Sequence, residues 1–308
     1  MLSRTASCVF WMARYMERAE NLARLLDVSQ QLALQPRASV SVVTLPLEIT
    51  GLMQSFEDSE KAINAEEVAH FLVLQASNPS SIYSCLCEAR ANAHVVRGSI
   101  TSELWESLNS TWLEMRLMNR AKLRRMVLSR FLDWVKERSH LYRGITFGTS
   151  QRNDAFHFAR LGTYLERADN TTRLLRFHWQ EWASPDETGQ PQYYAWAALL
   201  RSLSAFEAYR DSYSDSLTMQ HIGELLMLRE DLPRSLHACF AEMHQILGQI
   251  SSSQGHEAQR LVAEVYARLR YARWEAVFAV DPMAAFDQLL TEISRVGDLV
   301  RDAYWEVS

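Results

Sequence analysis

A twelve-residue block occurs twice in this chain. Tyr15-Met16-Glu17-Arg18-Ala19-Glu20-Asn21-Leu22-Ala23-Arg24-Leu25-Leu26 aligns with Tyr164-Leu165-Glu166-Arg167-Ala168-Asp169-Asn170-Thr171-Thr172-Arg173-Leu174-Leu175 at an offset of 149, and eight of the twelve positions are identical. A second match sets Pro79, Ser81, Ile82, Cys85 and Leu86 against Pro233, Ser235, Leu236, Cys239 and Phe240 at an offset of 154. Matches in the same order at so long a period point to a duplicated fold, the small drift in offset being a loop insertion. The expectation is two similar halves, residues 1–148 and 149–308, joined near Gly148–Asp154 and packed together about an approximate twofold axis.

Within the block Tyr15, Ala19, Leu22 and Leu26 recur at helical spacing, so the block lies on a helix, for which Ser3 is a suitable N-cap and about Leu34 the end. The rest of the chain extends this pattern. Only 10 glycines and 7 prolines occur among 308 residues, just under half the roughly 12% of an average globular protein. Turns must be few. With 48% hydrophobic residues the chain can bury a large core, and the scarcity of turn formers excludes sandwiches, collagen-like repeats and Gly-rich nucleotide loops. The fold class is all-α, a helical bundle. Further helices are predicted over Ala65–Leu74, Pro79–Val96, Ser102–Met118, Ala121–Gly144, Asp154–Trp182, Tyr194–Arg210, His221–Leu228, Pro233–Ile250, His256–Phe278 and Met283–Trp305. Asn153 and Asp154 stand where an N-cap belongs, Pro46 suits the first turn of a short helix, and Ser184–Gln192 reads as a surface loop.

The polar face of the repeated helix is the main candidate site. Glu17, Asn21 and Arg24 stack at i, i+4 and i+7 opposite the apolar stripe, flanked by Arg14 and Arg18, and the pattern recurs as Glu166, Arg167, Asn170 and Arg173. A solvated charged face is the ordinary reading of such a column. The recurrence favours a face buried between helices or lining a cleft, since Glu and Arg are seldom buried unless paired. Glu17 and Glu166 would then accept hydrogen bonds from arginines drawn from Arg14, Arg18, Arg24, Arg167 and Arg173. Arg90, His94 and Arg97 form a second stripe at i, i+4 and i+7, which the second half replaces with His244, Gly248 and Ser251. They make either an anion subsite or a plain solvated basic face.

Other chemistries find little footing. The net charge of −5 offers no global attraction to nucleic acid. No stretch approaches the roughly 18 apolar residues of a membrane span, and Cys8–Ala13 is too short for the apolar region of a signal peptide. Cys8, Cys85, Cys87 and Cys239 are too sparse for a disulfide framework, which suits reduced thiols in the cytoplasm. Neither Cys85 with Cys87 nor His237, Cys239 and His244 has metal-ligand spacing, so no metal and no cofactor are expected. A nucleophile elbow is lacking too. Glu17 and Glu166 would make an acid–base pair only if the fold joined them, and an adjacent Arg favours the ionised form. Trp105, Trp112 and Trp134, at helical spacing, read as core.

The run Leu2-Ser3-Arg4 with Trp11-Met12-Ala13-Arg14-Tyr15-Met16-Glu17-Arg18-Ala19-Glu20-Asn21, together with Ala89-Arg90, Asn92-Ala93 and the Leu165-Glu166-Arg167-Ala168-Asp169 block, resembles the bacterial alpha-E family, named for its α-helices and Glu-Arg motif. The similarity spans essentially the whole chain. It departs at His94, where the family pattern has Arg. The resemblance implies an ATP-grasp protein as partner, a transglutaminase-like protein as a second associate, and a role in making or modifying small peptides. Two functions follow as expectations. In one the chain is an accessory subunit of an ATP-grasp peptide ligase, supplying an interface and an Arg-lined carboxylate or peptide subsite. In the other it is an independent enzyme acting on a small peptide in a cleft lined by the Glu-Arg helices.

Overall fold

The computed structural model describes residues 3–33, 41–183, 191–213, 216–250, 253–274 and 281–305. They form fifteen α-helices and one 3-10 turn, with no strand among the described residues. The chain divides into two compact units, residues 1–163 and 164–308.

The first unit holds α1 (Ser3–Ala33), α2 (Ser41–Thr50), α3 (Met53–Glu57), α4 (Ala65–Val73), α5 (Ile82–Val95), α6 (Ser102–Met115), α7 (Arg120–Arg125), α8 (Leu128–Thr149) and the first ten residues of α9 (Asp154–Ala183). Helix α1 packs on α5 and α8, and α6 closes the ring by packing on the same two helices. This is a four-helix bundle, with α2 and α4 laid along α1 and α5. Helix α1 runs 31 residues without Gly or Pro, in a sequence rich in strong helix formers. It is buried on every side: Met12, Ala13, Met16, Ala19 and Leu22 are core, and so are Glu17 and Glu20. The charged column therefore does not face water.

The second unit holds the rest of α9, then α10 (Pro191–Ser202), α11 (Phe206–Ser212), α12 (Met219–Leu228), α13 (Leu236–Gln249), the turn Ser253–Gly255, α14 (His256–Arg270) and α15 (Pro282–Tyr304). Helix α13 packs between α12 and α14, and α14 against α15. Trp179 of α9 meets Phe286 of α15 at 5.9 Å and Trp274 at 5.8 Å between ring centroids. The Trp274 ring occupies the space a side chain at Gly223 would need, which is why α12 has a glycine there.

Helix starts follow the capping chemistry of the sequence. Side-chain oxygens of Asn64, Ser81, Thr101, Asn119, Thr218, Ser235 and Asp281 accept from backbone N–H groups of the first turns of α4, α5, α6, α7, α12, α13 and α15. Asn153 does the same for α9, accepting from Phe156 N at 3.3 Å as expected.

Several expectations need correction. The helix predicted over Ala121–Gly144 breaks at Met126, whose extended backbone ends α7 before α8 begins. The helix over Tyr194–Arg210 breaks after Ser202, where Ser204 adopts φ 54° and Ala205 N bonds back to Leu200 O at 2.8 Å. Gly51, at φ 70°, ends α2 in the same manner. Pro46 sits inside α2 rather than in its first turn. Most of Ser184–Gln192 and the end of the helix predicted to Phe278 lie outside the described residues, while Pro191 already opens α10. Trp105, Trp112 and Trp134 are half-buried at the rim, beside Arg90, Tyr83 and Arg138 respectively, not in the core.

Two outcomes are expected. A β-carbon at Gly162 of α9 would strike the backbone carbonyl of Phe10 in α1, whereas one at Gly144 of α8 meets nothing within 4 Å. Gly162→Ala should cost about 1–3 kcal/mol as the helices are forced apart, and Gly144→Ala should add about 0.5–1 kcal/mol through helix propensity; thermal unfolding of both variants checks the opposite signs.

His178, fully buried beside Phe177 and Trp196, has its pKa pushed down to about 4 by burial. The unfolded chain takes up this proton near pH 6.5 while the folded chain does not, so stability falls as pH drops from about 6.5 to about 4. That one group accounts for about 3 kcal/mol across the window. His178→Gln should flatten the loss, as read from urea midpoints between pH 4 and 7.

Candidate functional site

Helices α1 and α8 carry an ion ladder inside the first unit. On α1 stand Glu17, Glu20, Arg24 and Asp27; on α8 stand Lys136, Ser139, His140 and Arg143, both sets at spacings that keep one face. Lys136 Nζ pairs with Asp27 Oδ2 at 2.9 Å. Glu20, fully buried, accepts at Oε1 from Arg24 Nε (2.9 Å) and at Oε2 from Ser139 Oγ (2.7 Å) and Arg143 Nη1. Arg143 Nη1 also donates to Glu17 Oε2 at 3.0 Å. His140, 55% exposed, places Nε2 3.2 Å from Arg24 Nη2 and 3.5 Å from Glu20 Oε1, so the ladder opens to solvent at this ring.

The site is thus a pair of buried carboxylates held by arginines. Each carboxylate is desolvated, a cost offset only by charged hydrogen bonds of good geometry. Neighbouring Tyr142 is also buried, and that burial pushes its phenol well above the ordinary tyrosine range, with the Glu17 charge adding to the rise. The phenol is neutral throughout the physiological range.

Arg14 lies over the Trp11 ring at 4.8 Å and Arg18 over Tyr15 at 5.9 Å, so both use aromatic faces of their own helix. Asn21 is buried in α1. On α9, Glu166 and Arg167 are buried, Arg167 lies over Tyr164 at 5.5 Å, and its Nη1 reaches Pro233 O at 3.5 Å. Asn170 is half-buried. Arg173 Nε pairs with Asp169 Oδ2 at 2.7 Å, the counterpart of Arg24 with Glu20.

Two groups of partners escaped the sequence reading. Glu20 and Asp169 sit four residues before Arg24 and Arg173, an i, i+4 signal that was readable. Ser139, His140 and Arg143 were not, since nothing local ties α8 to a helix some 120 residues earlier. Arg143, outside the expected set of arginines, binds Glu17 across the bundle.

The Arg90, His94, Arg97 stripe does not survive as a single helix face. Arg90 stacks on Trp105 at 5.2 Å and its Nε donates to Asn109 Oδ1 at 3.2 Å. His94 lies against the same Trp105 ring at 5.5 Å. Arg97 falls beyond the last residue of α5, exposed in the following turn, because the helix ends at Val95 with Val96 as C-cap. Among the described residues no group of three or more His, Cys, Asp or Glu is placed to hold a metal, and no helix is long and apolar enough to cross a membrane.

An all-helical chain whose long helices turn Glu and Arg inward is a recognisable class. The chain belongs to the Alpha-E family: the family model, described as a predicted alpha-helical domain with a conserved ER motif, matches residues 1–305. Glu17-Arg18 and Glu166-Arg167 are the Glu-Arg pairs of the two repeated blocks. No curated protein and no solved structure matches the chain.

Removing one carboxylate from the ladder strands a buried guanidinium. Glu20→Ala, which frees Arg24, Ser139 and Arg143 together, should cost about 3–5 kcal/mol, with Glu17→Ala a smaller loss. Glu114→Ala, which breaks an exposed pair with Arg138, should leave the melting midpoint nearly unmoved. Calorimetric melting of the three variants gives the ranking.

Proposed function

We propose that the chain is an accessory subunit of an ATP-grasp peptide ligase, supplying an interface and a carboxylate or peptide subsite. The observation that carries this reading is the state of the Glu-Arg face. Glu20 spends both its oxygens on arginines and a serine of its own bundle, and Glu17 is tied to Arg143. Carboxylates so engaged serve as scaffold for a guanidinium more readily than as acid or base toward a substrate. The Alpha-E resemblance supplies the ATP-grasp partner and the peptide chemistry, with a transglutaminase-like protein as a second associate, and the four sparse cysteines suggest the cytoplasm as the compartment.

The same reading includes an internal duplication, with halves at 1–148 and 149–308 about an approximate twofold. Supporting it, α4 and α12, α5 and α13, α6 and α14, and α8 and α15 each start 154 residues apart. The caps of the first two pairs agree in kind, Asn64 with Thr218 and Ser81 with Ser235. The backbone turns closing α2 and α10 agree as well, Leu52 N to Leu47 O matching Ala205 N to Leu200 O.

Co-expression with an ATP-grasp protein of the kind the resemblance implies, followed by an ATP-dependent ligation assay with and without this chain, tests the proposal. A stable complex and a ligation rate that depends on this chain are expected. Absence of both would sink it. Peptide turnover by the isolated chain, abolished in a folded Glu17→Gln variant, would establish an independent enzyme instead.

A further inference from the structure

Arg143 is held by one nitrogen only. Its Nη1 donates to Glu17 Oε2, Glu20 Oε2 and Ser139 Oγ, and these three partners are all buried to within 1% of full burial. Among the described residues no protein group takes a hydrogen bond from Nε or Nη2, and the side chain is 20% exposed. Nε–H and Nη2–H lie on the same side of a guanidinium and form its side-on fork, whose spacing matches the two oxygens of a carboxylate. We infer that this fork is a preformed binding site for the carboxylate of a peptide or amino-acid ligand, with Glu17, Glu20 and Ser139 as the positioning residues behind it.

The physical reasons are three. A surface arginine loses rotamer freedom when it grips a ligand, whereas Arg143 has already lost it to the buried carboxylates, so its fork is preorganised. The surroundings bear on the ligand: Glu17 and Glu20 lie behind the guanidinium, His140 stands one turn away on α8, and Tyr142 is a neutral phenol. A singly charged carboxylate meets less repulsion from those two carboxylates than a phosphate dianion would. Finally, the second unit has dispensed with the arrangement. At the offset of 154, Ser139, Tyr142, Arg143 and Thr146 correspond to Ile293, Val296, Gly297 and Val300, and Ile293, Val296 and Val300 are buried. Apolar packing at such positions is commonly no less stable than a buried ion pair, so the polar choice at Ser139 and Arg143 of α8 points to a use other than stability.

This site gives chemical identity to the subsite of the accessory-subunit reading and rests on that reading for its peptide ligand, yet it is testable without the ligase. The probes are acetyl-trialanine, its C-terminal amide and inorganic phosphate, titrated into the full chain while the Arg143 Nε–Hε resonance is followed by NMR. The free acid is expected to shift that resonance, the amide and phosphate to leave it in place, and Arg143→Lys to weaken acid binding about tenfold by calorimetry. An equal shift with the amide, a shift with phosphate but not with the acid, no shift with any probe, or unaltered affinity in a folded Arg143→Lys protein would each overturn the inference. The resonance is read on the unaltered chain, so misfolding of the variant leaves the test intact. A failed complex with the ATP-grasp protein would remove the partner reading while leaving the binding result standing.

Discussion

Two carboxylates buried in the middle of a helix bundle set the terms for everything around them. Glu17 and Glu20 lie on α1, which α5 and α8 enclose, so neither can reach water. An ion in that position must be met by cations and hydroxyls from the neighbouring helices or the bundle comes apart. Helix α8 supplies them from Ser139 and Arg143, and α1 supplies Arg24 from its own next turn. The rotational setting of α8 against α1 is thereby fixed. Apolar packing alone tolerates sliding and rotation, whereas hydrogen bonds to a buried carboxylate do not.

Arg24–Glu20 and Arg173–Asp169 are like pairs within a helix, and the first is locked from across its bundle by the Arg143 guanidinium on the facing long helix. On α15, 154 residues after Arg143, stands Gly297, where a β-carbon would meet the side chain of Leu165 at 3.5 Å. The second unit is built from Leu225, Leu226, Phe240, Val262, Phe286 and Val296, and closes on aromatic contacts such as Trp179 with Trp274. The partners that meet the first block across its bundle come from elsewhere in the chain.

Aromatic faces take much of the remaining positive charge. Arg14, Arg18, Arg90, Arg138 and Arg167 each lie over a ring of the same helix or the next. Such contacts cover the apolar side of a guanidinium and leave its edge for hydrogen bonds. They also account for the tryptophans at the bundle rim: Trp105 and Trp134 are half-buried because each carries an arginine on one side and packs with the other.

Helix content, most helix boundaries and the capping residues could be read from the sequence because each depends on residues three or four positions apart. The period of α1, the Asn153 cap of α9 and the i, i+4 pairing of Arg24 with Glu20 are all of that kind. Burial of the Glu-Arg face was legible too, since a charged column that recurs asks for a reason. The break at Met126 was not, because a strong local helical pattern hides a bend imposed by packing. Nor could spacing on α5 reveal that the helix stops before Arg97. Above all, the pairing of Glu17 with Arg143 depends on which face of α8 meets α1, a matter of long-range packing among helices of similar apolar pattern. Local chemistry makes a helix carry its carboxylate inward, but only the assembled bundle brings the arginine that meets it.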